Sequence, residues 1–198
     1  MFAVMSETAD RFRRVGAGFT ETIAAVGDEA WSNPSPCDGW TARDVVGHLV
    51  DWIPGPGVLL GVYDIDAGPI APVDDDPIGA WTAVRDAVQA GLDDPETAQR
   101  VEDCGPLGPQ SFESAVNAIC IGDVLIHTWD LARAAGLPVE LDADEVARQL
   151  TGVTMIPPEI DAAMRASGHF GPRIGVPDDA DPTTRLLAFY GRAEVSPS

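Results

Sequence analysis

The chain of 198 residues has no lysine, and its 12 basic residues, all arginines, face 32 acidic ones. The resulting formal net charge of −20 excludes a nucleic-acid partner, because phosphates demand a basic face. It also disfavours anionic membrane surfaces, and its plain consequence is solubility. Cysteine is scarce: Cys37, Cys104 and Cys120 are an odd number at wide, irregular spacing. That excludes a disulfide framework and a CxxC zinc site, and reduced thiols in a cytoplasmic compartment are expected. Long apolar runs are missing too. Trp52–Leu60 is broken by Pro54, Gly55, Pro56 and Gly57, and no continuous run approaches the roughly 18 residues of a membrane span. Residues Met1–Ser6 lack the basic-then-apolar order of a secretory signal. Sustained period-two alternation and internal repeats are absent as well.

What remains is helical patterning. Phe12, Val15, Phe19, Ile23 and Val26 recur at helical spacing and predict a first helix from about Glu7 to Ala25. After the turn-rich loop Ser32–Trp40, Thr41 with Asp44 forms a capping box that starts a second helix, which carries Val45, His48, Leu49 and Trp52 and stops at Pro54. Residues 54–76 read as a long loop with one irregular helical turn. Asp76 and Pro77 open a third helix to about Gly91. The Gly/Pro loop from Cys104 to Gln110 leads to a fourth and longest helix, about Ser111 to Ala135, ended by Gly136 and Pro138. Short helices follow, opened by Asp142 with Glu145, by Pro157-Pro158 and by Asp181-Pro182. The expected fold is all-α: a four-helix bundle over residues 1–137, with a helical C-terminal extension, 138–198, packed on the same domain.

The fourth helix poses the chemical question. Asp123 and His127 lie four residues apart, so they project from one face of the most apolar helix. The stripe they share runs through Val116, Ile119 and Cys120 and on to Asp130 and Ala134. Burying a carboxylate and an imidazole costs several kcal/mol unless each finds a partner. An Asp–His ion pair meets part of that need, and a divalent metal meets all of it. His48, beside Val45 and Trp52 on the second helix, is the candidate third ligand. Three protein ligands leave coordination positions free for water or substrate. His169 sits in the loop Ser167–Pro172 with no acidic partner at helical spacing, and an exposed or anchoring role is expected of it. Asp51 and Asp130 either orient a ligand imidazole or serve as caps and arginine partners. Cys37 lies in a Pro/Gly loop before a helix, where thiols are activated, but no histidine pairs with it in sequence, so a structural role is expected.

The stretches Trp31–Leu49 (WSNPSPCDGWTARDVVGHL) and His127–Ala134 (HTWDLARA), with the tail segments Phe170-Gly171-Pro172 and Val176–Pro182, resemble the metal-binding family related to the N-terminal domain of mycothiol-dependent maleylpyruvate isomerase, within the DinB-like superfamily. The resemblance covers nearly the whole chain. It implies an up-down-down-up bundle with a long crossover between its second and third helices, in agreement with the 54–76 loop. It also implies a metal held by a histidine on the second helix and an acid-x-x-x-His pair on the fourth, which fall on His48, Asp123 and His127. The chain departs from the isomerase twice. After Gly136 only a short helical tail is expected, so the thiol site of the isomerase's separate C-terminal domain is not carried over, and the acid is Asp123 where the isomerase uses the longer glutamate.

Three readings follow from the resemblance. In the first, Zn²⁺, or Ni²⁺ as the alternative, activates mycothiol or a similar thiol in a transferase or isomerase acting on a small electrophile. In the second, metal-bound water makes the protein a hydrolase. In the third, the protein is a non-enzymatic helical binding or assembly protein whose metal is structural or vestigial. A homodimer formed through an apolar helix face is expected of this superfamily.

Overall fold

Local chemistry at each helix start explains where the chain turns. In the computed structural model, which describes residues 6–166 and 171–192, the Ser6 hydroxyl accepts from the Ala9 amide at 3.0 Å and opens helix α1, Glu7–Ala25. Phe12, Val15, Phe19 and Ile23 line its buried face. A short 3₁₀ turn, Asp28–Ser32, leads into the loop before α2, Ala42–Trp52. The capping box there is complete: Thr41 and Asp44 each bond the other's backbone amide. A crossover with one short helix, α3, Leu59–Val62, reaches Asp76, whose carboxylate accepts from the Gly79 amide at 2.8 Å. With Pro77 in the first turn, this starts α4, Pro77–Asp93, two residues longer than the sequence pattern indicates. Asp94 then caps α5, Pro95–Gln99.

The loop expected around Cys104 holds a small antiparallel hairpin, β1, Val101–Asp103, against β2, Pro109–Ser111, with Glu102 opposite Gln110. The fourth helix begins as α6, Phe112–Ala115, widens into a π turn at Val116–Cys120 and continues as α7, Ile121–Ala135. Gly136 ends it with φ 67°, the left-handed conformation in which glycine costs least.

The chain divides into two units, one ending at Val139 and the other beginning at Glu140. In the first, α1 and α2 each pack on both α4 and α7, which closes an all-α bundle of the DinB-like kind. Phe12, Phe19, Leu49, Trp81 and Ile121 are fully buried in it. By length and composition alone, Phe112–Ala135 would also reach across a membrane, although the continuous apolar runs are too short to show it. However, 72% of its apolar window is buried inside the protein, as befits the central helix of a bundle.

The second unit holds α8, Ala143–Thr154, α9, Pro158–Ala166, and α10, Pro182–Phe189. Asp142 and Asp181 cap α8 and α10 by accepting from the Glu145 and Thr184 amides, and these two helices pack together. Arg165 pairs with Asp161 at 2.9 Å and lies 5.0 Å over the Phe189 ring, tying α9 to α10. His169 lies outside the described residues.

Gly91 marks a close approach of α4 to the Phe112 ring. A Cβ there would stand 2.7 Å from Phe112 Cε1 and 3.2 Å from Ile65 Cδ1. Gly91→Ala therefore forces the Phe112 ring to move, and overpacking of this kind costs about 1–3 kcal/mol. The helix-propensity gain of roughly 1 kcal/mol offsets part of this. The expected result is a net loss in urea unfolding, and a stabilised variant would show that Phe112 has room to shift.

Candidate metal centre

Helix α7 buries 11 of its 15 residues, so a polar side chain on it must find its partners inside the protein. Asp123 and His127 do so on one face: His127 Nε2 stands 3.5 Å from Asp123 Oδ1. His48, from α2 and 75 positions away in sequence, brings its Nε2 to 3.2 Å from Asp123 Oδ2. The carboxylate thus lies between two imidazoles, with one oxygen toward each. One ligand atom from each of His48, Asp123 and His127 lies within 4.8 Å of the others. The site has a buried floor and an accessible side, since the His127 side chain is 7% exposed while His48 and Asp123 are 26% and 30% exposed.

The electrostatics follow from this enclosure. Burial alone would push the Asp123 carboxyl up, but the His127 charge and hydrogen bond, followed by those of His48, hold it well below the usual carboxylate range. Burial also opposes protonation of His127. The Asp123 charge and hydrogen bond, with further bonds to Asp130 and Cys37, outweigh it and raise this imidazole well above its ordinary value. Cys120, fully buried, is pushed up by desolvation and then by the Asp123 charge, so it stays a neutral thiol.

A second group adjoins the first. His127 Nδ1 is 3.0 Å from Asp130 Oδ2, and Asp130 has no solvent exposure. Of the two roles open to Asp130 in the sequence, the structure shows the one beside an imidazole. Cys37, which pairs with nothing along the sequence, donates from Sγ to the same Asp130 oxygen at 3.3 Å across 93 positions. Cys37, His127 and Asp130 form another set of ligand atoms within 4.8 Å of one another. Asp51, the other candidate for orienting an imidazole, is exposed. It lines a groove of about 350 Å³ with Val50, Pro54, Gly55, Ile70, Ala71, Pro72 and Val73, and it belongs to neither ligand group found among the described residues.

Aromatic rings wall the site. Trp52 stacks on His48 at 5.8 Å and 19°, and Trp40 stacks on His127 at 5.8 Å and 25° while its centroid lies 5.0 Å from that of His48. The position of Trp52 was legible, because it follows His48 by four residues on α2 and shares its face. Trp40 and Cys37 reach the site through the loop. Ser35 N donates to Trp40 O at 2.8 Å, Ala42 N to Asn33 O at 2.9 Å, and the Asn33 side-chain amide to Ala134 O on α7 at 3.1 Å. These bonds place the loop against the far end of the helix that carries Asp123 and His127.

Comparison with known proteins supports the resemblance read from the two motifs. Residues 12–60 match the family described as the mycothiol maleylpyruvate isomerase N-terminal domain. The matched stretch includes Cys37, Trp40, His48 and Trp52 and ends before the helix of Asp123 and His127. Two relatives extend the likeness: the uncharacterized proteins MT0763 and Rv0738 of Mycobacterium tuberculosis, strains CDC 1551 / Oshkosh and ATCC 25618 / H37Rv. Each is 26% identical over 182 residues, covering 91% of this chain and 94% of the relative. No solved structure matches the chain significantly.

Proposed function

We propose that His48, Asp123 and His127 hold one divalent metal ion, zinc before nickel, in a thiol-dependent transferase or isomerase that acts on a small electrophile, with mycothiol as the thiol. The observation that carries this reading is the Asp123 carboxylate standing between two imidazole nitrogens that come from different helices. Donor atoms bound to a tetrahedral zinc at 2.0–2.1 Å stand about 3.3 Å apart. The pairs at 3.2 Å and 3.5 Å, one to each Asp123 oxygen, are close to that spacing, and two imidazoles with a carboxylate suit zinc chemically.

When bound, such an ion supplies the positive charge that lowers a thiol's pKa, so that thiolate exists at neutral pH. The protein's own groups prepare the place. Asp130 accepts a hydrogen bond from His127 Nδ1–H, which leaves Nε2 as the nitrogen that faces an ion held beside Asp123. Trp40 and Trp52 pack on the two imidazole rings and limit their rotation. The exposed side at His48 and Asp123 leaves a small molecule a way in.

The test is elemental analysis of protein purified without an affinity tag, beside His48→Ala and Asp123→Ala. About one ion per chain is expected in the wild type and little in either variant. The loaded protein should then speed the alkylation of a low-molecular-weight thiol by a chromogenic electrophile. A wild type that stays metal-free after reconstitution rules out the metal centre, and full loading without thiol turnover leaves a structural metal.

A further inference from the structure

We propose that Cys37 is a positioning residue of this centre: its thiol fixes the Asp130 carboxylate, which in turn sets the orientation and tautomer of His127. The inference rests on the metal reading above. Three observations carry it. The Cys37 thiol donates to Asp130 Oδ2, the same oxygen that meets His127 Nδ1. Asp130 has no solvent exposure, so protein neighbours rather than bulk water decide how its carboxylate sits. Cys37 is itself held: its amide donates to Ser35 Oγ at 3.1 Å, and its carbonyl accepts from the Ser35 hydroxyl at 3.3 Å and from the Trp40 amide at 3.1 Å.

The chain from loop to ligand is therefore continuous: Ser35, Cys37, Asp130, His127. Partners of this kind orient ligand imidazoles, and losing one typically weakens metal binding 10–100-fold. The sharing of one oxygen makes the thiol's part specific. The thiol and the imidazole converge on Oδ2 and together favour one rotation of the carboxylate.

Cobalt(II) titration of the full chain tests this, with affinity and d–d absorption as the readouts. Cys37→Ala is expected to weaken Co²⁺ binding about 10-fold and to shift the d–d bands. Cys37→Ser keeps a donor and should restore both. Cys37→Val removes the donor while keeping volume, and it serves if the alanine variant does not fold. In an Asp130→Ala background, Cys37→Ala should cost much less than it does alone, because the thiol acts mainly through Asp130 and only its direct bond to His127 remains.

Wild-type affinity and spectrum in both Cys37→Ala and Cys37→Val overturn the proposal, as does a full additive loss in the Asp130→Ala background. A thiolate-to-cobalt charge-transfer band, or a second equivalent of bound Co²⁺, would make Cys37 a ligand and overturn it too. If Co²⁺ binding is lost in His48→Ala but unchanged in the Cys37 variants, only this inference fails. A wild type that binds no Co²⁺ removes the metal reading and this inference together.

Discussion

Trp81→Ala should lower the unfolding free energy of the bundle by about 3–5 kcal/mol. Trp81 is fully buried on α4 and meets Phe19 of α1 edge to face at 4.9 Å and 88°. Its indole Nε1 also donates to Thr20 Oγ1 at 2.9 Å. Alanine leaves a large cavity at the α1–α4 seam, and Gly16, which faces Trp81 across it, offers no side chain to fill the space. The lost hydrogen bond matters less, because Arg85 Nη1 also donates to Thr20 Oγ1 at 2.9 Å and keeps that oxygen satisfied. Trp81→Phe separates the two contributions: it keeps an aromatic ring against Phe19 and drops the donor, and it should cost about 1–2 kcal/mol. Urea unfolding followed by helical circular dichroism measures both. A lower midpoint at unchanged slope is expected. A loss under about 1 kcal/mol for Trp81→Ala would mean that the seam collapses onto the gap and that α1 and α4 are held elsewhere.

Features decided by neighbours a few residues apart were legible in the sequence, and features decided by distant contacts were not. Thr41 with Asp44, Asp76 with Pro77, and Gly136 announce helix ends because capping acts within three or four residues. The Asp123–His127 pair was visible for the same reason. The β1–β2 hairpin was not, since strands of three residues, exposed throughout β1, leave no alternation to read. Nor was the π turn at Val116–Cys120. One extra residue in a turn shifts the helix face without altering composition: of the expected stripe, Val116, Cys120, His127, Asp130 and Ala134 are buried, while Ile119 is only half-buried. Such turns often occur at functional sites, and this one ends three residues before Asp123.

The candidate site divides in the same way. His48 was a candidate partner of Asp123 from its place on the apolar border of the second helix, and the family resemblance strengthened the pairing, because no spacing rule links positions 75 apart. Burial of Asp130 was within reach of sequence reasoning. Ile121–Ala135 is apolar on nearly every face, and an acid in its middle must be enclosed. Cys37 left no signal, since its partner on α7 becomes a neighbour only when the Asn33–Thr41 loop folds against that helix.

Asp130→Asn should weaken metal binding 10–100-fold while leaving the bundle folded. The substitution keeps the shape of the side chain and removes its charge. An asparagine oxygen can still accept from His127 Nδ1, but its amide then points two donors into a site with no exposure, where unmet donors cost about 1–3 kcal/mol. The neutral amide also raises the basicity of His127 less than a carboxylate does, so Nε2 becomes the weaker ligand. Asp51→Asn is the matched control, because Asp51 is exposed and lies apart from both ligand groups, and its metal affinity should equal that of the wild type. Zinc competition titration and urea unfolding of the metal-free protein read the two effects separately. Equal zinc affinity in the Asp130 and Asp51 variants would show that Asp130 does not tune His127. A stability loss well beyond the about 1–3 kcal/mol of the unmet donors, with zinc affinity unchanged, would make the buried acid an anchor between loop and helix instead.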